Sequence, residues 1–242
     1  MNSFYLYEYS YYFEMILSIA VKLDYSTKAL ERMISYSKYF NGIENDLCTI
    51  PPVANEKEII DYFFPNLNID PKDYPLLTPS CWVSEAYLRI QGETGYTFEY
   101  IFLYIPIMEM YEKFPTYHEM DFTHIISYFY ELVIKKSPLE ILCERYGYSL
   151  KYVSEQTKIP YRTLISLSRR ERDIKNTSVT TVLKLAKFLN VRVETLSEYK
   201  IIDLDEQRVK QLALESYCKK VNDKKDFTIE ESQEMIRKIS KL

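Results

Sequence analysis

The chain has 242 residues, enough for one large or two medium domains with a real core. It is 47% hydrophobic and 27% charged, a globular composition, and its 4 glycines argue against phosphate-cradling loops and against many tight hairpins. The net charge of −4 is unevenly placed: residues 1–144 hold 10 Lys+Arg against 21 Asp+Glu, residues 145–200 hold 12 against 5, and residues 201–242 hold 9 of each.

The opening segment is Tyr-rich and acidic and lacks the basic start of a signal peptide. Residues 3–40 read as helical, with Phe13, Ile16, Leu17 and Ala20 on one face and Ala29, Met33, Tyr36 and Phe40 on another. Asn41-Gly42 and Pro51-Pro52 frame an irregular connection. Asn55 to Phe64 is a short helix with Ile59, Ile60, Phe63 and Phe64 inward. Prolines 65, 71, 75 and 79 mark a loop, after which Ser80 caps a helix to about Gln91, and Gly92 and Gly95 break the chain. Thr97 caps the next helix, which Pro106 bends or begins anew. The longest apolar run, Ile101 to Met108, is interrupted by Pro106 and is too short to span a membrane.

Asp121 or Thr123 starts another helix, running toward Lys136. Both histidines, His118 and His124, lie around it, but their spacing is not that of a metal site. A turn capped by Asp121, with the histidines used for packing or hydrogen bonds, is expected, and no metal or cofactor. The aromatic middle of the chain (Trp82, Tyr87, Tyr96, Phe98, Tyr100, Tyr104) reads as core, or else as a pocket for a small ligand or partner peptide. Cys48, Cys81, Cys143 and Cys218 form no CxxC pair and read as reduced thiols of a cytoplasmic protein. No nucleophile elbow, P-loop, dinucleotide fingerprint or Cys-His pairing is present, so an enzyme is not expected.

Ser137-Pro138 opens a helix over Leu139 to Tyr146. A segment containing Val153 then runs into a tight turn at Lys158-Ile159-Pro160, and a second segment, YRTLISLSRR, has Leu164 and Leu167 on its inner face. A basic loop follows. Ser178 caps a strongly periodic segment in which Val179, Val182, Leu183 and Ala186 share a face, and Asn190 takes the left-handed position at its end. Val191, Val193 and Leu196 begin a short closing helix.

Residues 139–199 resemble the helix-turn-helix unit of Cro/C1-type (XRE family) regulators, with Val153, Ile159, Leu164 and Leu167 carrying the apolar skeleton. The sequence departs from the family at Lys158, which replaces the turn glycine, and at Pro160, which stands where Ser is preferred. Ser154 is the small residue where the two helices cross, Arg170 replaces the glycine after the second helix, and the following loop is about three residues longer than in a minimal member. Period-2 alternation is weak throughout, so the chain reads as mainly α, and the resemblance implies a bundle of about five helices over 137–199. A larger acidic α-helical domain over 1–136 precedes it, and a helical extension over 200–242 follows. The extension has an apolar stripe at Val209, Leu212, Ala213 and Tyr217, and a capping pattern at Thr228.

In that family the second helix, here 161–169, reads the major groove. The resemblance places Tyr161, Arg162 and Ser166 against base edges. Thr163, Arg169, Arg170, Arg172 and Lys175 would meet phosphates, with the helix start near Thr177 and Ser178 alongside. The one strongly basic stretch of the chain coincides with this unit. The expected function is a sequence-specific transcriptional regulator, a repressor, binding double-stranded DNA as a homodimer. The alternative is an antitoxin-like module whose acidic N-terminal domain holds a protein partner and whose helix-turn-helix autoregulates. A small ligand at the N-terminal domain is a third reading.

Overall fold

The computed structural model describes residues 3–44 and 56–198, and every regular element in them is helical. The C-terminal stripe and capping pattern, the Pro51-Pro52 turn, Cys48 and Cys218 lie outside the described residues.

Helix α1 (Ser3–Lys22) buries Phe13, Ile16, Leu17 and Ala20, as their spacing predicts. It ends at Asp24, which takes a left-handed φ of 49°. Ser26 then caps α2 (Thr27–Ser35), and α3 (Lys38–Glu44) follows after a break at Ser37. Three helices thus divide the stretch expected to be helical over 3–40. Packing against α6 and α7 turns Leu30 and Ile34 of α2 inward, while Ala29 and Tyr36 of the expected stripe are exposed. Asn41 and Gly42, expected as a turn, lie inside α3.

Helix α4 (Glu56–Phe63) and the next residue bury Ile59, Ile60, Phe63 and Phe64 as expected. Helix α5 (Thr78–Thr94) starts two residues before Ser80, with Pro79 in its first turn. Ser80 is therefore not its cap; the side chain is buried and bonds the Tyr111 hydroxyl at 2.7 Å. Gly92 sits within the helix, and Gly95, at φ 70°, ends it. Helix α6 (Phe98–Tyr104) is capped by the Thr97 hydroxyl, which accepts from Tyr100 N–H at 3.1 Å. Pro106 sits at the entry of a new helix, α7 (Ile107–Tyr117). Asp121 accepts from Thr123 N–H at 2.8 Å at the start of α8 (Thr123–Lys135). His118 stacks on Phe114 and bonds its carbonyl, a packing use of the histidine.

Helix α5 is the axis of this part, packing on α1, α6, α7 and α8. The aromatic middle is core: Trp82, Tyr87, Tyr96, Phe98, Tyr100 and Tyr104 are all buried. Their polar ends are satisfied inside, Tyr87 on Ile105 O at 2.9 Å and Tyr104 on Lys136 O at 2.8 Å. Cys81 and Cys143 are free thiols.

The chain passes from α8 to α9 (Pro138–Tyr146) through Lys136 and Ser137 alone, with the Ser137 hydroxyl capping Glu140 N–H. Helices α10 (Leu150–Thr157), α11 (Tyr161–Ser168), α12 (Val179–Leu189) and α13 (Val193–Leu196) complete the described chain. Helix α9 also packs against α6, and one contiguous core runs from Phe13 to Leu196. The face of α12 differs from expectation. Val182, Leu185, Ala186 and Leu189 are buried, whereas Val179 is 73% exposed and Leu183 52%. Both sets have helical spacing, and packing against α10 and α13 selects the second. No described helix is long and apolar enough to cross a membrane.

Candidate nucleic-acid interface

The joint between α10 and α11 is built by short polar side chains. Ser149 caps α10 by accepting from Tyr152 N–H at 3.1 Å. Lys158 ends the helix at φ 58° and bonds Ser154 O through its N–H. The Ser154 hydroxyl donates to Ile159 O at 2.6 Å, and the Thr157 hydroxyl to Val153 O at 2.7 Å, so the turn's carbonyls are satisfied locally. Val153, Ile159, Leu164 and Leu167 are buried beneath this turn. Burying those four side chains, at about 1.5–3 kcal/mol each, outweighs about 1–2 kcal/mol for a lysine held in the left-handed region.

With Leu164 and Leu167 inward, the opposite face of α11 carries Tyr161, Arg162, Ser166 and, just past the helix, Arg169. Tyr161 is 50% exposed. The Arg162 side chain is exposed and makes no hydrogen bond or ion pair among the described residues. Ser166 is half-buried, and its hydroxyl turns back onto Thr163 O at 3.0 Å. Thr163 is itself half-buried. Arg169 makes a loose surface pair with Glu171 at 3.7 Å. Beyond it, Arg172 reaches Asn176 O at 3.4 Å, and Lys175 stands exposed in a short turn that Asp173 caps. Thr177 N–H is already bonded to Ile174 O, and the Ser178 hydroxyl caps α12 against Thr181. The phosphate-facing set expected from sequence is thus partly occupied by local structure.

Arg170 departs furthest from expectation. It takes the left-handed φ of 55° that the missing glycine would have supplied. Its guanidinium points at α8, bonding Val133 O at 2.5 Å and Lys136 O at 3.2 Å, and pairs with Glu198. Two more arginines of the basic stretch also face the acidic N-terminal part. Arg145 bonds Phe102 O and Leu103 O at 3.2 and 2.9 Å. Arg192 forks onto Glu44 at 3.1 and 3.2 Å, and its backbone N–H bonds Glu99 at 2.9 Å. The Arg192 Nε lies 3.5 Å from Glu99 as an ion-pair contact without hydrogen-bond alignment. Thr195 also donates to Glu99.

The basic stretch therefore divides in two. Arg145, Arg170 and Arg192 fasten it to the acidic helices. Lys151, Lys158, Arg162, Arg169, Arg172, Lys175, Lys184 and Lys187 remain at the surface. Sequence reasoning missed the fastening role because the partners are far away in the chain and carry no local signal. Comparison of the chain with protein-family models, curated proteins and solved structures returns no match.

Proposed function

We propose that the chain is a sequence-specific DNA-binding transcriptional regulator, a repressor, with α10 and α11 as a Cro/C1-type helix-turn-helix. The observation that carries this reading is the two-sided character of α11. Leu164 and Leu167 anchor one side, and Tyr161, Arg162 and Arg169 stand outward on the other.

In this reading α11 enters the major groove. The Arg162 guanidinium donates two parallel hydrogen bonds to O6 and N7 of a guanine, worth about 1–3 kcal/mol of discrimination. Tyr161 packs on a thymine methyl or bonds a phosphate. Arg169, Arg172 and Lys175 neutralise phosphates and fix the register, with no sequence information of their own. The acidic surface of the N-terminal helices repels DNA elsewhere and so orients the encounter. Two copies bind half-sites about one helical turn apart, which makes the working form a homodimer.

Fluorescence anisotropy tests this, with labelled duplex from upstream of the chain's own reading frame and scrambled duplex as competitor. Binding that survives the competitor and weakens by about 10³ or more between about 50 and 200 mM salt is expected. Binding that ignores salt, or that the scrambled duplex competes away equally, counts against it.

A further inference from the structure

A cleft of about 270 Å³ opens where α2 and α6 meet α9 and the end of α12. Its volume falls just below the range of drug-sized pockets, about 300–1,000 Å³, and suits a small metabolite. Three cations line it: Lys28 and Arg32 of α2 and Arg145 of α9. Lys28 and Arg32 stand one helical turn apart, an arrangement that repels in the absence of a counter-charge. Neither has a hydrogen bond or ion pair from its side chain among the described residues, and Arg145 bonds only the neutral carbonyls of Phe102 and Leu103.

The two carboxylates on the lining already hold hydrogen bonds, and Glu31 also draws on the charge of Arg145 and Lys28. Glu31 accepts from Ile107 N–H at 2.7 Å, and Glu99 is held by Tyr36, Thr195 and the Arg192 N–H. The rest of the lining includes the rings of Tyr36 and Tyr146 and the apolar side chains of Phe102 and Leu103. Three cations that outnumber the carboxylate charge near them, beside flat and apolar surface, match one kind of ligand chemistry.

We propose that this cleft binds a small organic anion, a carboxylate or phosphate monoester on a flat apolar body, with Arg32 and Lys28 gripping its charged end. Arg145 adds charge from the opposite wall, and the tyrosines flank the body. The site takes residues from both sides of the seam between the acidic helices and the basic unit, so an occupant would bridge them. This inference goes beyond DNA binding and does not depend on it.

Isothermal titration of the full chain, without DNA, tests it with three probes: phenyl phosphate, inorganic phosphate and benzyl alcohol. Phenyl phosphate should bind saturably at one site per chain. Inorganic phosphate should bind about tenfold more weakly or worse, and benzyl alcohol should not bind measurably. Arg32→Gln and Lys28→Gln, both at exposed positions and checked for an unchanged melting curve, should each weaken phenyl phosphate about tenfold. Arg162→Gln should leave it unchanged. Absence of saturable phenyl phosphate binding overturns the site. So does binding that both α2 variants leave intact, or binding lost in Arg162→Gln instead. Equal affinity for inorganic phosphate overturns the flat apolar body.

Discussion

The guanidinium of Arg192 holds the carboxylate of Glu44 in a two-pronged ion pair, 148 positions apart in the chain. Glu44 is 1% exposed and also accepts from Phe98 N–H at 2.6 Å, so one buried carboxylate ties α3, α6 and the entry to α13 together. Removing one partner of such a pair leaves an uncompensated buried charge, which costs more than the pair contributes. Arg192→Met should therefore lower the urea-unfolding free energy by about 3–5 kcal/mol. Adding Glu44→Gln should recover part of the loss, because a neutral amide still accepts from Phe98 N–H. If the double variant were as unstable as the sum of the two single variants, the coupling would be absent.

Arg170 and its neighbours should separate cleanly in mutagenesis. Arg170→Ala strips donors from Val133 O and Lys136 O and should cost about 1–2 kcal/mol of stability. The salt dependence of DNA binding should be unchanged, because the guanidinium faces α8. Arg172→Ala or Lys175→Ala should do the reverse, leaving the melting point near wild type and flattening the salt slope by about one ion per bound copy. Paired thermal melts and salt titrations read both effects. A flattened slope in Arg170→Ala would mean that the guanidinium leaves α8 when DNA arrives.

Lys158 holds a left-handed φ of 58° with its side chain in solvent. Glycine adopts that conformation without the steric penalty but is more costly to order from the unfolded chain. The two effects leave Lys158→Gly more stable than wild type by about 0.5–1 kcal/mol. Lys158→Val, β-branched at the same angle, should be less stable than wild type. Urea midpoints at constant m-value provide the check, and a reversed order would mean that the turn does not hold this angle.

Glu31 makes stability depend on pH. Burial pushes its carboxyl above the ordinary value of 4.5, and the Ile107 N–H, Arg145 and Lys28 pull it back only in part. The folded protein then holds this proton to higher pH than the unfolded chain. The contribution of Glu31 is most favourable below 4.5 and declines as pH rises through the raised value. Glu31→Gln keeps an oxygen for Ile107 N–H without the charge. It should melt above wild type near neutral pH, and the gap should narrow as pH falls toward and below the ordinary value. A gap that widened on acidification would contradict this cause.

Local chemistry was legible in the sequence wherever it decides structure by itself. Thr97, Ser178 and Asn190 cap their helices as their side chains dictate, and Lys158 accepts the angle that the turn requires. The helix-phase misreadings have physical causes. Both α2 and α12 offer more than one apolar set at helical spacing, and their packing partners select among them. The direction of a basic side chain was not legible. Arg170 and Arg172 look alike in a charge count, yet one faces Val133 O and the other the surface. That difference arises from the packing of α8 against the loop, a contact between positions far apart in the chain.

Selection from a pool of randomised DNA duplexes, run in parallel with the wild-type chain and with Arg162→Ala, tests the central claim most directly. The wild type should enrich a pair of related half-sites about one helical turn apart. Arg162→Ala, folded as before, should enrich the same pattern with the preference for guanine lost at one position in each half-site. A wild type that enriches no motif, or an Arg162→Ala chain that returns the wild-type motif unchanged, would contradict the assignment of α11 as the helix that reads DNA.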